Sequence, residues 1–267
     1  MSPDVGPEIG PAVGLELNPG IEPEYVGADP EAATETPMRE TGHVDDALMQ
    51  APLFVALDAE AAVALRASMT ERRIPRGSVI FAEGEDGDRM YVILDGKVKL
   101  GHTSTDGRES LLAVLGPGEM FGELSLFDPG PRTATATALT DTVVVGLGHE
   151  NLRPCLAGRP EVAEALLAAL AQRLRRTNEA MADLVFSDVP GRVAKALLEL
   201  ADKFGEQVPD GVLVRHDLTQ EELAQLVGAS RETVNKALAD FANRGWIQVD
   251  QREVVLVDRE RLEKRAR

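Results

Sequence analysis

Beyond residue 43, the pattern of apolar and polar residues changes along the chain, and each pattern predicts a different kind of structure. Between residues 44 and 65, the apolar positions indicate short helices that lead into a core. From Ile74 to Gly148, short apolar runs are broken by Gly, Asp and Pro, as in SVIFAEG and RMYVILDGKVKLGH. Strands at this spacing, joined by glycine turns, predict an antiparallel β-sandwich or jelly roll. The pairs Asp95-Gly96 and Asp106-Gly107 are hairpin turn signals within it.

Residues 160–186 form the longest predicted helix. Its inward positions alternate steps of four and three without a break, and they are Ala163, Leu167, Leu170, Leu174, Thr177, Met181 and Leu184. This row is the a/d seam of a two-stranded coiled coil, which predicts a dimer of this helix with its own copy. The alternative is a single amphipathic helix that packs on the β-domain of its own chain.

The segment Ser187–Gly191 ends that helix and predicts a hinge. Asp188 is suited to cap a following helix over residues 191–204, with Pro190 in its first turn. The chain therefore divides at this point into two parts with separate elements.

Residues 218–240, LTQEELAQLVGASRETVNKALAD, predict two short helices joined by a tight turn. Thr219 and Glu222 are spaced as a capping box, and Gly228 stands where the first helix must end with positive φ. Ser230 is placed to cap the second helix. Length, caps and turn agree with a helix-turn-helix that enters a DNA groove. A capped helical hairpin on the surface of any soluble protein is the alternative.

The second helix has an outer face with base-reading chemistry. Val234, Leu238 and Phe241 point inward, which leaves five polar residues outside: Arg231, Glu232, Thr233, Asn235 and Lys236. Arginine can donate to both acceptors of guanine, and glutamate can accept from the cytosine amino group. After this helix, GWIQVD and EVVLVD predict a β-hairpin around residues 250–253, which makes the unit a winged helix.

The loop between Phe121 and Ala134 contains glycines, an acid and an arginine in a short span. Nearby amides and the Thr133 hydroxyl can donate to an anion, and Arg132 supplies a planar donor fork suited to phosphate. Glu123 would repel phosphate but could accept from a sugar hydroxyl. The set predicts a sugar-phosphate site, with an ordinary surface Glu–Arg pair as the alternative.

Charge is distributed unevenly. The formal net charge is −17, of which residues 1–42 carry −8, residues 43–190 carry −8 and residues 191–267 only −1. DNA binding by such a chain should be specific, salt-sensitive and conditional. Residues 1–42 are rich in Pro, Gly and Glu, which predicts a disordered acidic extension.

Several classes of function are disfavoured. The single cysteine, Cys155, cannot form an internal disulfide or hold an iron–sulfur cluster alone. A cupin-type metalloenzyme needs clustered histidines, yet only His102 and His149 lie in the β-region. The four histidines, His43, His102, His149 and His216, do not exclude haem, but none of them lies in a suggestive motif. No nucleophile has an evident base partner, so no catalysis is expected. The chain lacks an apolar stretch of about 18 residues and a basic-then-apolar leader, which predicts a cytoplasmic protein without membrane contact.

The order of β-roll, FGELSLF…PRTATA, long helix, VPGRVA hinge and winged helix resembles the cyclic-AMP receptor protein family of bacterial regulators. GPGEMFGELSLFDPGPRT and DLTQEELAQLVGASRETVNKALADF are most similar to its GlxR-type global regulators. The resemblance covers residues 45–267. It implies an α+β fold with four parts: the extension 1–42, a cyclic-nucleotide-binding antiparallel β-roll (jelly roll) over 45–158, a coiled-coil dimerisation helix over 159–187 and a winged helix-turn-helix over 188–267.

The resemblance also implies roles for individual residues. The residues it assigns to cyclic AMP are Gly122, Glu123, Leu124, Ser125, Arg132, Thr133, Thr177 and Asn178. The residues it assigns to DNA are Thr219, Gln220, Ser230, Arg231, Glu232, Thr233 and Lys236. Cyclic AMP would act as an allosteric effector without a metal, and the partners would be double-stranded DNA with a palindromic TGTGA-type site, a second copy of the chain and RNA polymerase. A regulator of the same fold that ignores cyclic AMP or senses another ligand remains the alternative.

Overall fold

The structure, a computed structural model, describes residues 42–128 and 130–267, apart from the side chains of residues 42–45, Leu126 and Cys155. The extension predicted over residues 1–42 therefore lies almost wholly outside the described residues. The predictions about the Cys155 side chain lie outside them as well.

Three short helices precede the sheets, as the apolar pattern predicts. They are α1 (Gly42–Gln50), α2 (Pro52–Val55) and α3 (Ala59–Ala67). The side chain of Asp58 caps α3 by accepting from the Ala61 N–H at 2.8 Å. Leu48, Leu53 and Phe54 are buried in the core beneath these helices.

Eight strands then form two four-stranded sheets in which every pairing is antiparallel. They are β1 (Thr70–Ile74), β2 (Val79–Phe81), β3 (Arg89–Asp95), β4 (Val98–Thr103), β5 (Glu109–Leu115), β6 (Met120–Phe121), β7 (Thr135–Ala138) and β8 (Thr142–Gly148). One sheet has the order β1-β8-β3-β6 and the other β2-β7-β4-β5. Because the chain passes repeatedly between the two sheets, the strands enclose a core, and the predicted β-roll is confirmed.

The two hairpin signals have different outcomes. Asp106-Gly107 joins β4 to β5, which pair from Thr103 opposite Glu109, so this hairpin is confirmed. The hairpin prediction at Asp95-Gly96 is wrong, because β3 and β4 belong to different sheets. Gly96 has the positive φ expected of such a turn, at 84°. The turn, however, leads the chain from one sheet to the other, so the strands on either side of it do not pair with each other.

A short helix α4 (Leu124–Phe127) follows β6, and α5 (His149–Gly158) leads to the long helix α6 (Pro160–Phe186). Val162 and Leu166 near its start are buried on the β-roll. Further along, the predicted seam is open in the single chain, since Leu167, Leu174 and Met181 are 65%, 61% and 62% exposed. The length of the helix is as predicted.

The segment predicted as a hinge, Ser187–Gly191, makes contacts in three directions. Helix α7 (Val189–Phe204) begins two residues before the predicted start, with Asp188 as its cap at 2.9 Å from the Gly191 N–H. Arg265 donates to both oxygens of Asp188, at 2.7 and 2.6 Å. Arg192 donates to the Ser187 carbonyl at 2.7 Å and to the Val227 carbonyl at 3.0 Å. The hinge is therefore tied to both the C-terminal helix and the helix-turn-helix.

The C-terminal part is a winged helix, with more elements than the sequence indicated. The predicted helices α8 (Gln220–Val227) and α9 (Arg231–Asn243) and the wing strands β11 (Ile247–Val249) and β12 (Glu253–Leu256) are confirmed. Strands β9 (Gly205–Val208) and β10 (Gly211–Arg215) complete a sheet of order β11-β12-β10-β9, and α10 (Arg259–Arg265) ends the fold. These last three elements were not predicted from the sequence.

The winged helix packs directly on the β-roll. Leu111 and Val114 of β5, together with Leu139, belong to the same buried cluster as the core of the winged helix. The ring of Phe204 lies against Gly116, where an added Cβ would stand 2.5 Å from it. The contact thus depends on the absence of a side chain at Gly116.

A buried histidine at this junction predicts acid sensitivity. His216 is 6% exposed, and its Nδ1 accepts from the Leu218 N–H at 3.1 Å. Burial lowers the pKa of His216 from 6.5 to about 4, against the opposing charge of Asp217. Because the folded-state pKa is the lower one, the stabilisation is complete above pH 6.5, declines as the pH falls, and has been lost once the pH has fallen through about 4. We expect the free energy of unfolding to fall by about 3 kcal/mol through this residue.

Denaturant unfolding at pH 7 and pH 4.5 measures this loss. The matched variant is His216→Asn, whose side-chain oxygen can still accept the Leu218 N–H but does not titrate. Wild type should lose about 2–3 kcal/mol more than the variant over this interval. Equal losses would show that His216 does not titrate as its burial requires.

Candidate ligand pocket and DNA-binding surface

The loop after β6 brings four of the predicted ligand residues to one place. Gly122 has a φ of 75°, and an added Cβ would stand 2.8 Å from Nη1 of Arg132. Glu123 and Ser125 are buried at the start of α4, whereas Leu124 is 45% exposed. The left-handed backbone at Gly122 turns the chain so that α4 closes over the end of the β-roll.

Arg132 lies under this loop and is 5% exposed. Its Nη1 donates to the Gly122 carbonyl and its Nη2 to the Arg89 carbonyl, each at 2.8 Å. The guanidinium stacks 4.2 Å from the ring centre of Phe81. Burial lowers the pKa of Arg132 below its ordinary value, so the fold carries a desolvated cation that a bound anion would stabilise.

Glu123 is the second charged residue inside the pocket, and it is 4% exposed. Its Oε1 accepts from Nη1 of Arg173 on α6 at 2.8 Å. Among the described residues, neither its Oε2 nor the Nε of Arg132 has a hydrogen-bond partner. A buried acceptor and a buried donor left unpaired in one pocket are unusual, since each costs about 1–3 kcal/mol.

These residues surround a small pocket. The lining residues are Phe81, Leu100, Gly122, Glu123, Leu124, Ser125, Arg132, Thr133, Ala134 and Arg173. The cavity between them measures about 30 Å³. Pockets that hold drug-sized ligands measure roughly 300–1,000 Å³, so this cavity is much smaller than such a pocket.

Six of the eight predicted ligand residues therefore lie together. The other two, Thr177 and Asn178, are exposed on α6 and do not line this pocket within the single chain. The Thr177 hydroxyl donates to the Arg173 carbonyl at 3.1 Å. Sequence reasoning missed Arg173 itself, although it stands one helical turn before Thr177 and so shares a face with it.

The predicted DNA residues lie at the leading ends of α8 and α9. Both caps have the predicted form: the Glu222 N–H donates to Thr219 Oγ1 at 3.2 Å, and the Thr233 N–H to Ser230 Oγ at 3.3 Å. Gly228 between them adopts a φ of 66°. The structure thus fixes both helices of the predicted helix-turn-helix through local hydrogen bonds.

The outer face of α9 is open. Arg231, Glu232 and Lys236 are exposed, and the last two form an ion pair at 2.8 Å along the helix. Gln220 accepts through Oε1 from Asn235 at 3.1 Å and from Arg231 at 3.4 Å. These polar side chains are therefore held in place by each other and by α8.

Two further properties of the described residues concern the kind of site. Over residues 42–128 and 130–267, no His, Cys, Asp and Glu side chains form a group of three or more that could hold a metal ion. In the same range, no helix is both long and apolar enough to cross a membrane.

Comparison with known proteins agrees with the order of these parts. Residues 71–159 match the cyclic nucleotide-binding domain family, and residues 191–265 match the Crp-like helix-turn-helix domain family. The CRP-like cAMP-activated global transcriptional regulator of Mycobacterium tuberculosis is 56% identical over 84% of this chain and 100% of its own length. The cyclic AMP receptor protein of Thermus thermophilus is 39% identical over 78% of this chain and 95% of its own length.

Two solved structures of bacterial regulators are similar to this chain in fold. A CRP-family transcriptional regulator of Thermus thermophilus is 32% identical, with a TM-score of 0.62 over 73% of this chain and 95% of that one. The c-di-GMP responsive global regulator CLP of Xanthomonas campestris is 28% identical, with a TM-score of 0.65 over 74% of this chain and 99% of that one. These relatives are named as transcriptional regulators and not as enzymes. The chain therefore belongs to the CRP-like family of cAMP-activated global transcriptional regulators, with a cyclic nucleotide-binding domain followed by a Crp-like helix-turn-helix domain.

Proposed function

We propose that this chain is a cyclic-AMP-responsive transcription regulator that acts as a homodimer on a palindromic TGTGA-type DNA site. The observation that supports it most is the pair of unpartnered buried atoms in one pocket, Nε of Arg132 and Oε2 of Glu123. A cyclic sugar phosphate offers an anion to the first and a hydroxyl to the second. The M. tuberculosis relative is named as cAMP-activated.

Each pocket residue has a definite part in this proposal. Arg132 and Thr133 bind the cyclic phosphate, with Ser125 and the amides at Gly122 and Leu124 beside it. Glu123 accepts from the ribose 2′-hydroxyl, and Arg173 orients that carboxylate by donating to its Oε1. The walls must open, because the cavity of about 30 Å³ is far too small for a nucleotide.

Isothermal titration calorimetry with cyclic AMP tests the ligand assignment. We expect one site per chain, and weaker binding of cyclic-di-GMP at the same concentration. Tight binding of cyclic-di-GMP without cyclic AMP binding would favour the alternative, a regulator of the same fold with another ligand. That alternative is worth the comparison because the X. campestris protein of similar structure is named for its c-di-GMP response.

The dimer is proposed from the open seam of α6. Leu167, Leu174 and Met181 expose large apolar side chains along one line, which a second copy of the helix would cover. Thr177 and Asn178 would then reach the adenine, one from each subunit. The pairing also sets two recognition helices about one DNA turn apart, as a palindrome requires.

A charge in the seam should separate the subunits. We expect Leu174→Glu to raise the dimer dissociation constant roughly 100-fold or more, because two buried leucines are lost and two carboxylates meet. Light scattering after size-exclusion chromatography measures the mass. Gln172→Glu is the matched control, since Gln172 is exposed on α6 but lies off the seam. If the Leu174→Glu protein stayed dimeric, another surface would form the interface.

The DNA site follows from α9. Arg231 and Glu232 read the G·C pairs of the half-site, while Thr219 and Gln220 contact phosphate and Ser230 and Thr233 hold the helix end. Lys236 carries a charge to the groove but lacks the two-pronged donor of arginine, so its base preference is weaker. We also propose that the domain limits are those given by the resemblance. The protein would act in the cytoplasm, with RNA polymerase as a partner.

A further inference from the structure

Strand β4 borders the ligand pocket on one face and the winged helix on the other. Leu100 points into the β-roll and lines the pocket. Its neighbour Lys99 points the opposite way, as alternation along the chain requires, and Lys97 precedes the strand on the same side. Lys99 contacts Glu222 of α8 and Lys97 contacts Asp217 just before α8, each at 2.6 Å. Adjacent residues of one strand therefore form a pocket wall and a contact with the helix-turn-helix.

The Lys99–Glu222 pair is largely shielded, with side chains 29% and 16% exposed. Glu222 is also the carboxylate of the capping box, whose Oε2 accepts from the Thr219 N–H at 2.7 Å. Burial alone would raise the pKa of Glu222, but hydrogen bonds from Lys99 and Thr219 outweigh it and hold that pKa below its ordinary value. Lys99 thus binds the residue that organises the start of α8.

Neighbouring contacts make this junction a continuous surface. Gln225 of α8 donates to Glu109 of β5 at 3.3 Å, and Leu111 of β5 is buried in the core of the winged helix. Strand β4 is hydrogen-bonded to β5 on one side and β7 on the other. A displacement of β4 would therefore also move β5, and β5 contacts α8.

We propose that Lys99 is a positioning residue that couples the ligand pocket to the helix-turn-helix within one subunit. When the pocket opens from its volume of about 30 Å³, Leu100 moves outward and Lys99 carries Glu222 and α8 with it. This route is separate from the dimer helix, because both of its ends lie in the same chain. It rests on the proposed function, since it takes cyclic AMP as the ligand that opens the pocket.

The test uses Lys99→Met in the full-length chain, with the dissociation constant for TGTGA…TCACA DNA measured with and without cyclic AMP. Allosteric coupling is typically about 5- to 150-fold. We expect Lys99→Met to reduce the wild-type ratio of these two constants about three- to tenfold, while calorimetric affinity for cyclic AMP alone stays within about twofold. Lys99→Arg should restore the ratio. Lys264→Met is the control, because Lys264 pairs with Glu260 within α10.

An unchanged ratio in Lys99→Met overturns the inference, and this includes an equal loss of DNA affinity with and without ligand. A second readout needs no DNA. Cyclic AMP should change amide hydrogen exchange in α8 of wild type but not of Lys99→Met. If wild type binds cyclic AMP and exchange in α8 stays constant, this inference fails while the pocket assignment stands. If wild type binds no cyclic AMP, the proposed function fails first and this inference with it.

Discussion

Replacing Arg132 by leucine is expected to lower the affinity for cyclic AMP roughly 100-fold or more. The guanidinium is the buried cation among the residues that line the pocket, and its Nε has no hydrogen-bond partner among the described residues. Hydrogen bonds to charged groups contribute about 1.5–3 kcal/mol each, and a guanidinium makes two at once to a phosphate. Calorimetry with cyclic AMP measures the change.

Leucine also leaves the Gly122 and Arg89 carbonyls without their donors, so thermal unfolding must accompany the titration. Arg132→Lys keeps the charge but not the planar fork, and we expect it to lose about tenfold or more. Arg108→Leu removes an exposed arginine from the β4–β5 hairpin and should bind as wild type does. If a folded Arg132→Leu protein bound cyclic AMP with wild-type affinity, the cyclic phosphate would not be bound by Arg132.

Replacing Arg231 by alanine is expected to abolish discrimination at one base pair of each half-site. A bidentate arginine contact with guanine contributes roughly 1–3 kcal/mol, which is about 5- to 150-fold in relative affinity. Affinity for DNA that lacks the site should change much less, because it depends on phosphate contacts. Competition titrations with site variants at fixed salt measure both.

Arg244→Ala is the matched control, since Arg244 lies at the far end of α9 and pairs with Asp240. It should leave the ranking of the DNA variants unchanged. If Arg231→Ala instead weakened every sequence equally, Arg231 would be a phosphate contact. In that case the reading of bases would have to be assigned to Glu232 or Lys236.

The parts of the fold that depend on local chemistry were predictable from the sequence. The capping box of Thr219 and Glu222, the left-handed turn at Gly228 and the cap at Ser230 each involve residues within three or four positions. The length of α6 and its open apolar line follow from helical periodicity alone. Such signals need no knowledge of the remaining chain.

The missed features depend on residues that are far apart in sequence. Asp95-Gly96 makes the expected turn, but which sheet accepts β4 is decided by pairing with β5 and β7. The ion pair between Glu123 and Arg173 joins residues 50 positions apart. The contact of Lys99 with Glu222 spans 123 positions and exists only because the winged helix packs on the β-roll. The periodicity of apolar residues does not predict contacts between residues so far apart in the sequence.

The residues that form the site were predictable from the sequence, but the size of the pocket between them was not. Gly122, Glu123, Ser125, Arg132 and Thr133 were grouped from one short loop, and the structure places them around one pocket. The volume of about 30 Å³ and the contacts of Arg132 with two carbonyls and Phe81 depend on residues from separate elements. No local pattern in the sequence indicates them.

The most direct test of the account is the affinity of the full-length protein for fluorescent TGTGA…TCACA DNA, measured by anisotropy with and without cyclic AMP at fixed salt. Cyclic AMP should tighten binding by about 5- to 150-fold, with no comparable gain on DNA without the palindrome. Tight, site-specific binding that ignores cyclic AMP would contradict the coupling and leave a DNA-binding regulator with another ligand or none.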